Sequence, residues 1–434
     1  MQRESGRHCR SHSEGAKVMS SEDIVIIGAG QAGGELAAAL RSLGYDGRLT
    51  LVGNEASYPY ARPPLSKAYL LGKCSAEELL IRAPAMYDQQ NINVRMNTAA
   101  RSIDRKAKTV TLSNGEVLSY SKLVIATGGR PRQLPVRELS GAANVFYVRT
   151  RADIDRMRPY FAPGARLAII GGGFIGLEVA SVARQLGLDV TLLESQQRLL
   201  ARATCPLVSE FFRRIHHEEG VDVRLQTSVQ SYLVGQSGNV ETLVSDGGEH
   251  IRVDIVLVGI GLVPNSELAE AAGLEVENGI VVDECLRTSD PAIYAIGDVA
   301  RFPDAGNGAL RRIESVPNAT EQARTVAETL LGRPRPYISL PWFWSDQYDV
   351  KLQIVGLSDE HDQVVLRGDL TNGRKFAIYY LRNGVVSAAD IVGSPQDFAV
   401  ARKLVAAAAV VDPVILADTR ITPRDLSRMV AAVA

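Results

Sequence analysis

RLAIIGGGFIGLEVASVARQLG, Arg166 to Gly187, followed after Leu188 by DVTLLE, Asp189 to Glu194, decides the fold. A short apolar, β-branched run enters three glycines, a helical pattern follows, and a second apolar run closes it. That order is strand, turn, helix, strand, one βαβ unit. An earlier stretch has the same plan: DIVIIGAGQAGGELAAALRSLG, Asp23 to Gly44, leads into RLTLVG, Arg48 to Gly53. Gly171 follows Gly28 by 143 residues, too far for a solenoid period. The duplication predicts two separate α/β units, each a doubly wound, Rossmann-like domain.

Gly28, Gly30 and Gly33 in the first copy, and Gly171, Gly173 and Gly176 in the second, satisfy G-x-G-x-x-G at the strand-to-helix turn. The first glycine permits the tight turn, the second lets a pyrophosphate approach the backbone, and the third lets the helix pack closely. The phosphates then meet helix N–H groups and the positive end of the helix dipole. In the second copy Glu194 stands 23 residues after Gly171. It is near the ~20-residue spacing at which a carboxylate takes the adenosine ribose hydroxyls, which predicts NADH over NADPH. Arg198 and Arg202 follow nearby and leave that preference open to test. In the first copy the corresponding strand end reads Gly53, Asn54, Glu55, so the acidic group is displaced. Two more signals accompany the first copy: Ala126-Thr127-Gly128-Gly129 after the strand KLVI, and TSDPAIYAIGD, Thr288 to Asp298. There Gly297 allows close approach and Asp298 can accept hydrogen bonds from a ribityl chain. The set resembles the paired fingerprints of two-dinucleotide flavoproteins, with FAD on the first copy and NADH on the second.

The composition excludes other classes. Of 434 residues, 46% are apolar and 22% charged, the average of a globular protein with about three domains. A formal charge of −1 offers no global field for nucleic acid or an anionic membrane. Cys9, Cys74, Cys205 and Cys285 show neither C-x-x-C nor C-x-x-x-x-C nor metal-ligand spacing. This argues against a zinc site, a disulfide scaffold and a redox dithiol, and suits reduced thiols in the cytoplasm. No apolar run approaches the ~20 residues of a membrane span, and the chain reads as soluble. Residues 1–22 carry basic groups without the apolar core of a signal peptide and read as a flexible extension or, with Met19 just before the first strand, as the product of an upstream start codon. SNG near residue 114, Asp246 to Gly248 and Arg382 to Gly384 predict hairpin turns. From about residue 336 the composition shifts. Strands KLQIVGL, QVVLRGD and KFAIYYLRNGVVSAAD predict an antiparallel sheet, closed by helices in DFAVARKLVAAAA and TPRDLSRMVAAV.

From Asp23 to the C-terminus the chain resembles the bacterial FAD-dependent NADH:ferredoxin reductases, with the apoptosis-inducing factors as more distant relatives. The strings that carry the resemblance are YPYARPPLSKAYL, ATGGRPR, YVRT, GGGFIGLE, VGIGLVPN, GIVVDECLRTSDPAIYAIGDVA, RIESVPNATEQA and PWFWSDQYDVKLQIVG. The resemblance implies a glutathione-reductase-like fold with a C-terminal α+β interface domain. It places an FAD domain at 23–135 and 263–335, an NADH domain at 136–262 and the last domain at 336–434. It implies FAD contacts at Ala32, Asn54, Lys67, Ala100, Arg149, Asp298 and Val316, with Glu55, Arg62, Thr127, Gly128 and Trp344 nearby. On the NADH side it covers Gly171 to Glu178, including Phe174 and Ile175, together with Glu194 and the Gly259 to Gly261 turn.

It further implies that Lys67 and Glu178 form an ion pair beside the reactive flavin nitrogen, and that Trp344 lies near the flavin and the partner surface. Hydride would pass from NADH to FAD, and single electrons to a small ferredoxin, of two-iron, two-sulfur type, that feeds an oxygenase. The alternatives are a reductase of rubredoxin, monodehydroascorbate or a quinone, and a flavin-bearing interaction protein. No metal, nucleic acid or membrane partner is expected, and the protein should be a monomer or weak dimer.

Overall fold

The computed structural model describes residues 22–136, 139 and 141–431, so the expectation for residues 1–22 falls, Glu22 apart, outside the described part. Two five-stranded parallel sheets form the centre of the molecule. The first has the order Ile293–Ala295, Lys122–Ile125, Ile24–Ile27, Leu49–Val52, Ile92–Arg95. The second has the order Val221–Leu225, Asp189–Glu194, Arg166–Ile170, Ile255–Val258, Val145–Phe146. Strands covered on both faces read as continuous apolar runs, and Ile24–Ile27, Leu49–Val52 and Ile255–Val258 are buried at every position.

Ile24–Ile27 has Leu49–Val52 on one side and Lys122–Ile125 on the other, as Arg166–Ile170 has Asp189–Glu194 and Ile255–Val258. Connections that depart in opposite directions open a crevice beyond the strand's carboxyl end, and that is where each glycine turn lies. The helices that leave the turns, Gln31–Ser42 and Phe174–Gln185, begin at Gly30 and Gly173 in extended conformation, with no side-chain cap. By contrast Ser315 caps Val316–Leu330 and Thr150 caps Arg151–Met157.

The third sheet is antiparallel, in the order Trp342–Gln347, Val350–Gly356, Val385–Val392, Phe376–Arg382, Gln363–Gly368. The two-residue period of a strand splits Phe376–Arg382 between two cores. Phe376, Ile378 and Tyr380 join Leu177, Phe211 and Phe212 of the second unit, while Ala377, Tyr379 and Leu381 face Phe398 and Leu404. The first of these cores also takes in Tyr60, Leu65 and Tyr69, so one apolar body joins the second and third sheets to the segment around the turn Leu65–Tyr69. The three expected hairpins are present, at Val117, His250 and Val385 after their turns. The helices expected near the C-terminus run Pro395–Ala406 and Pro423–Ala431.

Candidate active site

Both glycine turns open onto one cavity of about 1550 Å³, larger than the ~300–1,000 Å³ of a single small-molecule pocket and fit for two dinucleotides. The glycines divide the work as their spacing predicts. A Cβ on Gly28 would sit 2.1 Å from the Ala126 carbonyl oxygen, and one on Gly171 2.5 Å from that of Gly259, with φ of +115° and +111°. A Cβ on Gly33 would lie 1.9 Å from the Gly28 oxygen, and one on Gly176 2.2 Å from the Gly171 oxygen. Those positions are closed by backbone. At Gly30 and Gly173 nothing lies within 4 Å of such a Cβ, leaving open space beside uncapped helix N–H groups. That combination fits a pyrophosphate at each turn.

In the first half of the cavity Arg149 Nη2 is 2.9 Å from Asp298 Oδ2 and passes over Gly128, while Thr127 hydrogen-bonds with Asn265. Asn54, Glu55, Ala32 and Val316 also line the wall. Glu55 is engaged by Arg62 at 2.6 Å and by the Tyr60 hydroxyl, whose pKa burial pushes up to about 12. Arg62 also donates to the Arg149 carbonyl. Ala100 stands on the strand Ala100–Asp104 and packs on the first core rather than on the cavity wall, and Gly33 and Gly176 are likewise behind it.

In the second half, Glu194 closes its own turn: Oε2 accepts from Gly172 N at 2.6 Å and Oε1 from Gln196 N at 2.7 Å. Phe174 and Ile175 line the wall beside it, and Gly261 lies under Arg202. Arg198 is a loop brace that donates to the Ala201 and Thr204 carbonyls. Arg311 and Arg312, basic residues downstream, are paired with Asp304 and Asp359, and with Glu314.

Lys67 and Glu178 meet where the halves join, with Nζ 2.6 Å from Oε2. Glu178 is the fifth residue of its helix, past the four free N–H groups that phosphates use, so its charge does not oppose them. It is 2% exposed. The partner segment Leu65–Tyr69 is a single π-turn kinked at Lys67 (φ −130°, ψ −110°). Consecutive side chains of a regular helix diverge by about 100°. The kink instead brings Ser66 and Lys67 onto the same carboxylate, with Ser66 Oγ 2.5 Å from Oε2. Ser345 Oγ holds the other oxygen at 2.7 Å. Neither serine was singled out by the sequence, although both sit in its diagnostic strings, PPLSK and FWSDQ. Trp344 lines the same cavity and stacks against Trp342 at 5.4 Å, which is half-buried and also packs on Phe398. Among the described residues no group of three or more His, Cys, Asp or Glu could hold a metal, and no helix is long and apolar enough to cross a membrane.

Known proteins share this plan. Residues 22–323 match the family described as pyridine nucleotide-disulphide oxidoreductase, and residues 342–427 match the reductase C-terminal family. Putidaredoxin reductase CamA of Pseudomonas putida is 43% identical over 94% of this chain and 97% of its own. Rhodocoxin reductase of Rhodococcus erythropolis is 44% identical over 91% and 92%. The crystal structure of the covalent putidaredoxin reductase–putidaredoxin complex superposes with a TM-score of 0.92 at 42% identity, covering 95% of this chain and 99% of the other. The chain belongs to the pyridine nucleotide-disulphide oxidoreductase family, in the group that carries the reductase C-terminal segment and includes putidaredoxin and rhodocoxin reductases.

Proposed function

We propose that the protein is an NADH-dependent FAD flavoprotein that delivers electrons to a ferredoxin. One observation carries the reading: two open, uncapped glycine turns face a single cavity with the Lys67–Glu178 pair at their junction. Kinship with ferredoxin reductases supplies the direction of electron flow. FAD, when bound, takes an electron pair as hydride from NADH and returns electrons one at a time, as an iron–sulfur acceptor requires.

The chain's residues divide binding from chemistry. The turn at Gly28, Gly30 and Ala32, with Asn54, Arg149, Asp298 and Val316, would hold FAD. The turn from Gly171 to Ile175, with Glu194 and Gly261, would hold NADH. This corresponds to an FAD domain of 23–135 and 263–335 and an NADH domain of 136–262, completed by 336–434. The Lys67 ammonium lies against the buried Glu178 Oε2 and supplies positive charge at a fixed place. Its Nζ also donates to the Pro63 carbonyl at 3.1 Å, so the charge is anchored from two sides.

The partner in this reading is a two-iron, two-sulfur ferredoxin serving an oxygenase in the cytoplasm, and the reductase is a monomer or weak dimer. The experiment is anaerobic mixing of the yellow holoenzyme with NADH, followed by turnover with a panel of acceptors. Bleaching of the flavin and acceleration by a two-iron ferredoxin are expected. Faster turnover with rubredoxin or a quinone than with any ferredoxin overturns the acceptor assignment.

A further inference from the structure

Glu178 is the end of a line of hydrogen bonds that runs away from the cavity. The Tyr348 hydroxyl lies 3.3 Å from His216 Nδ1, and His216 Nε2 lies 2.9 Å from Gln347 Oε1. Gln347 Nε2 is 3.2 Å from Ser345 Oγ, which is 2.7 Å from Glu178 Oε1. His216, Gln347 and Ser345 are at most 1% exposed, so bulk water does not satisfy them. A contact beyond the line, Tyr348 N to Ser181 Oγ at 2.7 Å, fixes its far end to Glu178's own helix.

The inventory of donors and acceptors fixes the direction of every bond. An ionised carboxylate only accepts, so the one proton of Ser345 goes to Glu178. The Ser345 oxygen must then accept, which places the amide nitrogen of Gln347 towards it and the carbonyl oxygen towards His216. A carbonyl oxygen only accepts, so His216 carries its proton on Nε2 and is left with a bare Nδ1 for the Tyr348 hydroxyl. Burial lowers the His216 pKa to about 4, against a smaller opposing effect of Gln347, and the ring is neutral as the line requires. Four donors in series therefore point at Glu178, and such chains polarise one another.

We propose that Ser345, Gln347 and His216 are positioning residues for hydride transfer: a one-way donor line that holds the Glu178 carboxylate in place, and through it the Lys67 ammonium. The inference rests on Lys67 and Glu178 acting at the flavin. With Ser66 and Lys67 on the same carboxylate, the line and its end draw on all three units. Ser66 and Lys67 come from the first unit, Glu178 and His216 from the second, and Ser345, Gln347 and Tyr348 from the third. Packing alone would not require this polarity, since apolar residues of the same volume would fill the space without it.

The test begins on the holoenzyme labelled with 15N-histidine. His216 is expected as the neutral Nε2–H tautomer at pH 7, and an imidazolium or an Nδ1–H tautomer overturns the line whatever any variant does. Flavin reduction is then measured by anaerobic single-turnover mixing with NADH. Ser345→Ala and Gln347→Met should each slow it about tenfold, less than the ~100- to 1,000-fold of a lost donor that touches the reacting atoms, because both act through Glu178. Ser345→Thr should restore it to within about twofold, and adding Ser345→Ala to Glu178→Gln should slow it no further, since the two changes share one interaction. Should Ser345→Ala lose FAD, Gln347→Met, which keeps side-chain volume, carries the comparison. Wild-type rates in Ser345→Ala and Gln347→Met with a slow Glu178→Gln sink the line and leave the pair's role intact. A wild-type rate in Glu178→Gln sinks the pair's role itself.

Discussion

At the residue scale, the site consists of charges held by many small constraints, and the charged groups were the legible part. Lys67, Glu178, Arg149, Asp298 and Glu194 stand in strings whose chemistry is specific. Ser66 and Ser345 were not legible. They reach Glu178 across 112 and 167 residues, and a serine carries no periodicity that would announce such a contact. Nor did the sequence reveal that Glu194 is pre-bound. Two backbone N–H groups hold both of its oxygens, which fixes a negative charge at the end of its strand before any ligand arrives. A 2'-phosphate there would face that charge at close range, whereas ribose hydroxyls would donate to it. Glu194→Ala should therefore raise the NADH KM about tenfold, the cost of one or two charge-assisted hydrogen bonds. It should raise the NADPH KM far less or lower it, because Arg202 at Gly261 remains to attract a phosphate. Steady-state kinetics with both coenzymes measure the ratio; an unchanged ratio would show that Glu194 does not set the preference.

At the element scale, helix packing against the glycine turns decides whether a binding end exists. Period and punctuation exposed each strand–turn–helix unit, because strands buried on both faces and helices with one apolar stripe leave distinct patterns. The π-turn Leu65–Tyr69 left none, since its widening depends on the contacts it makes with the helix Phe174–Gln185. The short helix Pro413–Ala417 was equally silent, being a single turn that lies against the strand Gln363–Gly368. The third glycine of each motif gives a clean separation of the two nucleotide ends. A side chain on Gly176 would start 2.2 Å from the Gly171 oxygen and push the helix off its turn. Gly33 has the same relation to Gly28, at 1.9 Å. Overpacking of this kind costs about 1–3 kcal/mol, enough to move a helix end without unfolding a large domain. Gly176→Val should purify yellow, with FAD bound, and show at least a tenfold weaker response to NADH. Gly33→Val should purify with little flavin. Equal loss of FAD from both variants would mean that the two turns do not serve separate ligands.

At the scale of the whole molecule, the sequence foretold three units but not how they share a core. The return of Ile293–Ala295 to the first sheet is visible in the GD string, yet the alternation of Phe376–Arg382 between two apolar bodies emerges only from the packed sheets. Two buried titratable groups lie where the second and third units meet. His216, on the helix Pro206–Glu218, faces Gln347, while Asp390 accepts from the Tyr380 hydroxyl, which in turn accepts from Cys205 N at 3.1 Å. Burial lowers the His216 pKa to about 4 and raises that of Asp390 to about 7, the Tyr380 bond offsetting the latter in part. Between pH 6.5 and about 4 the unfolded chain binds a proton at His216 that the folded chain refuses, so stability falls as pH drops, by roughly 3 kcal/mol in all. Between about 3.8 and 7 the folded chain keeps a proton on Asp390 that the unfolded chain releases, so stability falls as pH rises, by roughly 4 kcal/mol. Across pH 4.5 to 6.5 the two slopes oppose each other and nearly cancel. Asp390→Asn should unmask the first, giving a protein that gains about 1.4 kcal/mol per pH unit relative to wild type over that interval. His216→Leu should unmask the second, giving a protein that loses a similar amount per unit relative to wild type. Denaturant midpoints of the holoenzyme at pH 4.5, 5.5 and 6.5 measure both, and slopes parallel to wild type in the two variants would mean that neither group is buried in the form described.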